Sequence, residues 1–517
     1  MAGGQVTTYR GPFGFIQGWN SKASSITLPP NSMTDAQNVN IVYGDLVKRQ
    51  GSAKINSAAI SGTPAIHGLF DWQTNAGQRS LIITAGTKIF KANDLSSTFT
   101  DITGSATITS GQNNLHTFAS LNNILIICGG TTPDTPLQWT GSGNVASLAG
   151  SPPVGNICAV CNNFAFISGV AANPSRIYWS NVIDPNTWPS TNYVEFRASD
   201  GDKVTALCDA DQSLVIFKRR SIGILWTIPP TSDASVTLGP LTQVIPTMGC
   251  PGPLCVDKLD DGRIAFLGTN AHVYIFDGTA LQDISDPEPP FGSIQPTLNG
   301  VNVSHLQYAV LKFYPTRREI WLSVAEGSST TNNAIYVYSL EYNCWESKFV
   351  GIAANTMAQS IDTRGSPSHP IIMLTGNYSG QVYEQDNGTT NAEDVNGVID
   401  GYGTVSVLMG IGKRDYLPKS LMVPLEANGL TNLEVNYGFN GYTEVSNSTL
   451  ISQAGTGGTL DSFVLDTSVL GGNQTLYKSD VVSVAGSAVT MQVQFRNRQA
   501  GQTFTVHPFF ISEEVIT

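Results

Sequence analysis

Cys158 and Cys161 form a Cys-x-x-Cys pair, the spacing used by zinc sites and dithiol redox centres. Here the pair lies inside the apolar run Ile157 to Ile167. Residues three apart on a strand point to opposite faces, so the two thiols cannot converge. Cys250 and Cys255 are separated by Pro-Gly-Pro-Leu, so no second pair with ligand spacing follows. The seven cysteines therefore read as buried free thiols, with no metal site. Reduced thiols suit a protein folded in a cytoplasm. Asp200-Gly201-Asp202 and Asp260-Asp261-Gly262 bring carboxylates together, but neither completes the calcium-loop pattern. Asp-Gly is also the chemistry of a tight hairpin turn.

Other catalytic signatures are missing. There is no Gly-x-Ser-x-Gly elbow, no His-Glu-x-x-His helix and no Walker-type phosphate loop. The Asp box of sialidase propellers does not occur. A glycosidase carboxylate pair would have to be assembled in space from distant strands. No catalytic residue, cofactor or metal is expected, and the chain reads as a non-enzyme. Two basic clusters remain, Lys218-Arg219-Arg220 and Arg317-Arg318, both in apparent turns at hairpins. They are solvated loop tips, or else contacts to a neighbouring subunit or to phosphate. Trp179 and Trp188 stand close together, as in a sugar platform, although packing between sheets is the commoner use.

The elements that carry these residues are short strands. Leu214 to Phe217 and Ile222 to Trp226 flank one polar turn, and Ile264 to Gly268 and Val273 to Gly278 flank another. Both read as β-hairpins. Aligned on their aromatic ends, such second strands recur at Phe90, Trp139, Trp179, Trp226, Phe276, Tyr338 and Tyr383, in steps of 49, 40, 47, 50, 62 and 45 residues. The long step contains the polar loop Glu326 to Asn333. This is the period of a four-stranded propeller blade. Each blade alone leaves apolar faces bare, so the repeat makes sense only as a ring. The spacing predicts an all-β protein, a six- or seven-bladed β-propeller over residues 61–398.

Residues 1–60 are loop-like and predict an extended N-terminal arm lying on the ring or on a neighbour, with Leu46 to Gly51 able to supply a propeller-closing strand. Residues 399–517 alternate apolar and polar positions between turns such as Gly455 to Gly458, which predicts a C-terminal β-sandwich or barrel.

The chain has 517 residues, 41% of them hydrophobic and only 13% charged, with a net charge of −12. The length implies two or more domains. The acidic balance argues against tight nucleic-acid binding, but not against passive contact with moving DNA. The start lacks an apolar signal segment and no run is long enough to span a membrane, so a soluble protein is expected.

Two stretches carry a resemblance. Leu28 to Ser52, with Ala36-Gln37-Asn38 leading through Gly44 into Arg49-Gln50-Gly51, resembles the N-terminal pattern of phage tail structural proteins. Arg176-Ile177-Tyr178-Trp179-Ser180 running on to Asp184-Pro185-Asn186-Thr187-Trp188 is similar to a blade motif of the same group. Together they resemble the podovirus tail nozzle, the tail tube protein B family. That resemblance implies a hexameric ring below the head-to-tail adaptor protein, in the virion tail of a short-tailed phage, assembled in the bacterial host cytoplasm. It implies as partners the adaptor, tail fibres or tailspikes, a tail needle or plug, and duplex DNA passing non-specifically during ejection. The family supplies no catalytic residues. The alternatives are a receptor- or carbohydrate-binding tail protein of the tailspike or fibre kind, a glycosidase-type propeller, and a generic propeller scaffold.

Overall fold

In a computed structural model the described residues are 6–226, 238–287, 293–294, 298–364, 370–387, 393–394, 397–409, 417–427, 431–439, 447–453, 476–484 and 490–515. Six four-stranded antiparallel sheets, and one set of four antiparallel strands that belongs to a larger sheet, follow one another around an axis. Blade one runs from Ile66–Gln73 to Thr100–Asp101, blade two from His116–Leu121 to Ala146–Ser147, and blade three from Ile157–Cys161 to Tyr193–Glu195. Blades four, five and six start at Val204–Asp209, Val256–Lys258 and Val310–Tyr314. Blade seven starts at Thr356–Ile361. Each blade's first strand touches the first strand of the next, and that of blade seven touches that of blade one. The chain is therefore an all-β, seven-bladed propeller.

Period-two alternation builds the ring. Leu81 and Ile83 face blade seven while Ile82 faces blade two. Phe164 and Phe166 face blade four while Ala165 and Ile167 face blade two. Leu214 and Ile216 face blade three while Val215 and Phe217 face blade five. Fully burying each of the larger of these side chains contributes about 1.5–3 kcal/mol, and neither face can be covered without a neighbouring blade. All seven aromatic positions that define the repeat lie on the third strands of successive blades. The same alternation separates the Cys-x-x-Cys pair: Cys158 packs toward blade two and Cys161 toward blade four. Trp179 and Trp188 likewise pack into different clusters.

Blade seven takes its outer strand from the start of the chain. Gly51–Lys54 pairs antiparallel with Val382–Asn387. The closing strand thus shares only Gly51 with the segment expected from the sequence and runs on after it. Leu46 and Val47 instead pair with Ile41 and Asn40 and with Val506 and Thr505.

The described part of residues 1–60 is not an arm laid on a surface. Val6–Phe13, Val39–Val42 and Asp45–Lys48 join Leu417–Ala427, Leu476–Ser483, Thr505–Val506 and Phe509–Val515 in one sheet. Ser32–Gln37 pairs with Gly401–Leu408 and also with the last strand of blade six, Cys344–Val350. Blade six therefore runs on through Thr490–Asn497 and Thr431–Phe439 to Asn447–Gln453 as one ten-stranded sheet. The two sheets enclose Phe15, Met33, Val405, Leu421, Phe495 and Phe509, in a core continuous with that of blades four to six. This is a sandwich welded to a propeller and built from both ends of the chain. The expected turn at Gly455 to Gly458 lies outside the described residues. No described helix is long and apolar enough to cross a membrane.

Candidate docking groove and buried polar clusters

One face of the ring carries the loops between second and third strands and the crossings from one blade to the next. On this face a groove of about 1020 Å³ lies across blades three, four and five and the crossing into blade six. Lys203, Arg219, Arg220, Asp202, Gln307 and Val303 help to line it. A second cavity of about 340 Å³ adjoins it, lined by Asn113, Asn156, Thr205, Gly252 and Tyr308, at the ends of the axis-lining strands. The two share Pro174, Lys203, Pro251 and Gln307, so together they run from the outer part of the face toward the axis.

The Lys218-Arg219-Arg220 cluster is divided by its turn. Lys218 ends a strand and its side chain is fully buried, so it is not a surface contact. Its Nζ donates to Asp200 Oδ1 at 2.8 Å, to Ser175 Oγ at 3.0 Å and to the Arg197 carbonyl at 3.0 Å. These three bonds use all three donors of an ammonium. Burial opposes ionisation of Asp200, but the bond from Lys218 and one from the Asp202 N–H outweigh it and hold its carboxyl below the usual range. The Lys218 carbonyl accepts from the Cys250 N–H at 2.9 Å. Beside it, a Cβ on Gly249 would lie 1.9 Å from that carbonyl, so only glycine allows this approach.

Arg219 and Arg220 occupy the turn itself and are exposed. Arg219 Nη2 donates to Gln307 Oε1 at 3.3 Å, and the Arg220 N–H donates to Asp202 Oδ2 at 3.0 Å. The other oxygen of Asp202 accepts from the Lys203 N–H at 2.9 Å. The one carboxylate lining the groove is thus committed to backbone amides. Lys203 was not singled out in the sequence, because no local pattern places it beside residues 219 and 220.

Arg317 and Arg318 lie elsewhere, in the turn between the first two strands of blade six. Arg317 grips Asp386 of blade seven with two bonds, of 2.6 and 2.7 Å. Arg318 Nε donates to Asp260 Oδ2 of blade five at 3.0 Å. Both arginines tie neighbouring blades together, which leaves Arg219 and Arg220 as the members of the expected set that face the groove. The Asp-Gly segments serve as turns whose carboxylates are taken: Asp200 by Lys218 and the Asp202 N–H, Asp261 by Arg263.

Two buried clusters were not visible in the sequence. Glu319 and Glu346 of blade six are each 2% exposed, where the propeller meets the sandwich. Asn40 Nδ2 donates to Glu346 Oε2 at 3.1 Å and approaches Glu319 Oε1 at 3.4 Å. Trp321 Nε1 donates to Glu319 at 2.8 Å and the Ile41 N–H to Glu346 at 3.1 Å. Burial pushes both carboxyls up; the charge of Glu346 raises Glu319 further, and Glu346 is pushed up to about 7. The pair is sealed, and the neighbouring void at Asn40 and Arg317 holds only about 10 Å³, too small for a sugar.

The second cluster is His67 and His116, on the first strands of blades one and two, with Nδ1 atoms 2.8 Å apart. His67 Nε2 lies 3.0 Å from the Gly86 carbonyl, which can only accept. Neutral His67 must therefore carry its proton on Nε2, and His116 must donate from Nδ1. That leaves the buried Nε2 of His116 without a partner among the described residues. Burial lowers both, His67 to about 4.

The motif residues also have clear positions. Arg49 Nε donates to Asn38 Oδ1 at 2.9 Å, the Val350 N–H donates to the same oxygen at 3.0 Å, and Arg49 stacks 5.3 Å from the Phe349 ring. Asn38 Nδ2 donates to the Asp400 carbonyl at 3.0 Å. The Asn-to-Arg motif thus pins blade six to the sandwich, two residues ahead of the closing strand. In blade three, Asp184 caps its turn through Asn186 and Thr187, and Trp188 Nε1 donates to the Pro185 carbonyl at 2.8 Å.

Fold and groove together define a propeller–sandwich body with a concave face that carries three cations. The chain is similar to solved structures of YCF48 from Cyanidioschyzon merolae (TM-score 0.38, 9% identity, 65% of this chain and 98% of that one) and of the AfRom2 CNH domain (0.38, 10%, 65% and 99%). It is also similar to Kluyveromyces lactis Hsv2 with its complete loop 6CD (0.34, 10%, 66% and 94%). No protein-family model and no curated protein matches the sequence.

Proposed function

We propose that this chain is a structural subunit of a phage tail nozzle, forming a ring and channel below the head-to-tail adaptor through which DNA is ejected. The observation that carries the reading is the placement of the tail-protein motif. Asn38 and Arg49, two of its defining polar residues, join propeller and sandwich, so the motif marks the joint of a two-module body rather than a reactive site. A ten-stranded sheet shared by both modules suits a subunit that works by shape and must transmit load without hinging. The net charge of −12 suits a wall that passing phosphate does not adhere to. Identical subunits would close by head-to-tail contacts into a cyclic ring.

The reading places the chain in the virion tail as a hexamer, with the adaptor, the fibres or tailspikes and the needle or plug as neighbours. The test is stoichiometry and position. Quantitative mass spectrometry and electron microscopy of purified particles should find six copies per tail as a ring beneath the connector. Three copies, located in a fibre or spike, would overturn it.

A further inference from the structure

The groove across blades three, four and five has a feature that the nozzle reading does not use. Its lining carries three cations, Lys203, Arg219 and Arg220, on a chain that is acidic overall. Among the described residues its lining has one carboxylate, Asp202, which accepts from two backbone amides and offsets one of the three positive charges, leaving the lining net positive. Among the described residues the Lys203 ammonium and the Arg220 guanidinium have no side-chain partner, and Arg219 makes one contact of 3.3 Å to a neutral amide. By contrast, Lys218, Lys258, Arg317 and Arg318 all hold carboxylates. Unmatched positive charge in a concave site is the electrostatic complement of an anionic ligand.

Size and lining choose among anions. A volume of about 1020 Å³, continuous with a further 340 Å³, far exceeds a single phosphate or carboxylate. Three cations are few for a nucleic acid, whose affinity grows with the number of phosphates neutralised. The axial half is uncharged apart from Lys203. It offers the amides of Asn113, Asn156 and Gln307, the prolines Pro174, Pro251 and Pro253, and the hydroxyl-bearing Tyr308. At the outer end Val303 is 65% exposed. Amides and prolines beside a cationic rim suit an extended polypeptide, with backbone groups toward the axis and carboxylates at the rim.

We propose that this groove is a docking site for an acidic, extended segment of a protein partner. Its carboxylates meet Arg219, Arg220 and Lys203, and its chain follows the groove toward the propeller axis. The proposal is independent of the nozzle reading.

The probe is a fluorescein-labelled peptide of alternating glutamate and serine, titrated with the full chain and followed by anisotropy. Its glutamine counterpart and a thymidine oligonucleotide of equal charge serve as competitors. The glutamate peptide should bind and should weaken as salt is raised. Arg219→Glu combined with Arg220→Glu should weaken it by roughly tenfold or more, with two like-charge contacts replacing two attractive ones. Lys203→Glu should weaken it independently. Circular dichroism should show all variants folded, since these side chains are exposed. Failure of the glutamate peptide to bind, equal binding of the glutamine peptide, undiminished binding to the folded variants, or tighter binding of the oligonucleotide would each overturn the proposal.

Discussion

Tyr383 lies opposite Lys54 across an antiparallel ladder, and that register closes the ring. The ladder joins the third strand of the last blade to a strand laid down before the first. Every blade interface then has a partner, because opening this one ladder would expose Ile55, Leu374 and Val382 together with Leu69 and Leu81 of blade one.

Ala53→Pro tests this closure. Ile55 N–H donates to the Val382 carbonyl, and positions two apart in an antiparallel ladder share the same hydrogen-bonding role. Proline at Ala53, opposite Glu384, therefore removes a ladder donor. We expect a loss of about 3 kcal/mol, read as a lower Tm and early protease cleavage near blade seven, whereas Ala53→Val should be tolerated. Equal stability of the two variants would show that the strand does not close the ring.

The Lys218–Asp200 pair should be asymmetric. Lys218 has no exposed surface, while the Asp200 side chain keeps 18% of its own. Asp200→Ala strands an ammonium out of reach of water and should cost about 3–5 kcal/mol. Lys218→Met leaves a carboxylate that water can reach and should cost less. Denaturant unfolding of both variants checks the order, and the reverse order would contradict the deeper burial of Lys218.

Glu346 makes stability fall as pH rises. Its folded-state carboxyl is raised to about 7 by burial, above its unfolded value of 4.5. The contribution is complete below pH 4.5 and is lost as pH climbs through about 7. Glu346→Gln keeps an acceptor for Asn40 and Ile41 but removes the titration. Relative to the parent, its Tm should rise between pH 5 and pH 8; a difference that stays constant with pH would contradict the assignment.

His67 acts in the other direction and in another window. Its folded value is lowered from 6.5 to about 4 by burial. The unfolded chain takes up the proton first, so stability is lost as pH falls from about 6.5 toward 4. His67→Gln should flatten this acid limb while leaving the behaviour above pH 7 unchanged. Nitrogen-15 spectra of labelled histidine should show the Nε2–H tautomer at His67 and Nδ1–H at His116.

Trp72 tests the packing between blades one and two. It is fully buried, 5.0 Å from Trp139 between ring centroids, and its Nε1 donates to Ser120 Oγ at 3.0 Å. Trp72→Ala should cost about 3–5 kcal/mol through the cavity it leaves. A loss below about 1 kcal/mol, measured by denaturant unfolding, would mean that the interface re-collapses.

The blade repeat was legible because it is local. Trp139, Trp226 and Phe276 end short apolar strands at nearly even spacing, and alternation within each strand tells its two faces apart. Cys158 and Cys161 could be separated for the same reason. The burial of Lys218 beside the exposure of Arg219 could not be read, since adjacent basic residues look alike until a turn and a carboxylate from a neighbouring loop sort them.

The sequence by itself determined that the chain is built of short amphipathic strands and that its sheets must stack in a ring, because both properties follow from side-chain periodicity within each hairpin. Tertiary structure alone decided that Ser32–Gln37 bridges blade six and Gly401–Leu408, that Gly51–Lys54 closes the ring, and that Lys203 joins Arg219 and Arg220 around one groove. Those pairings join residues far apart in the chain. They are selected by the shared burial of surfaces that no local pattern connects.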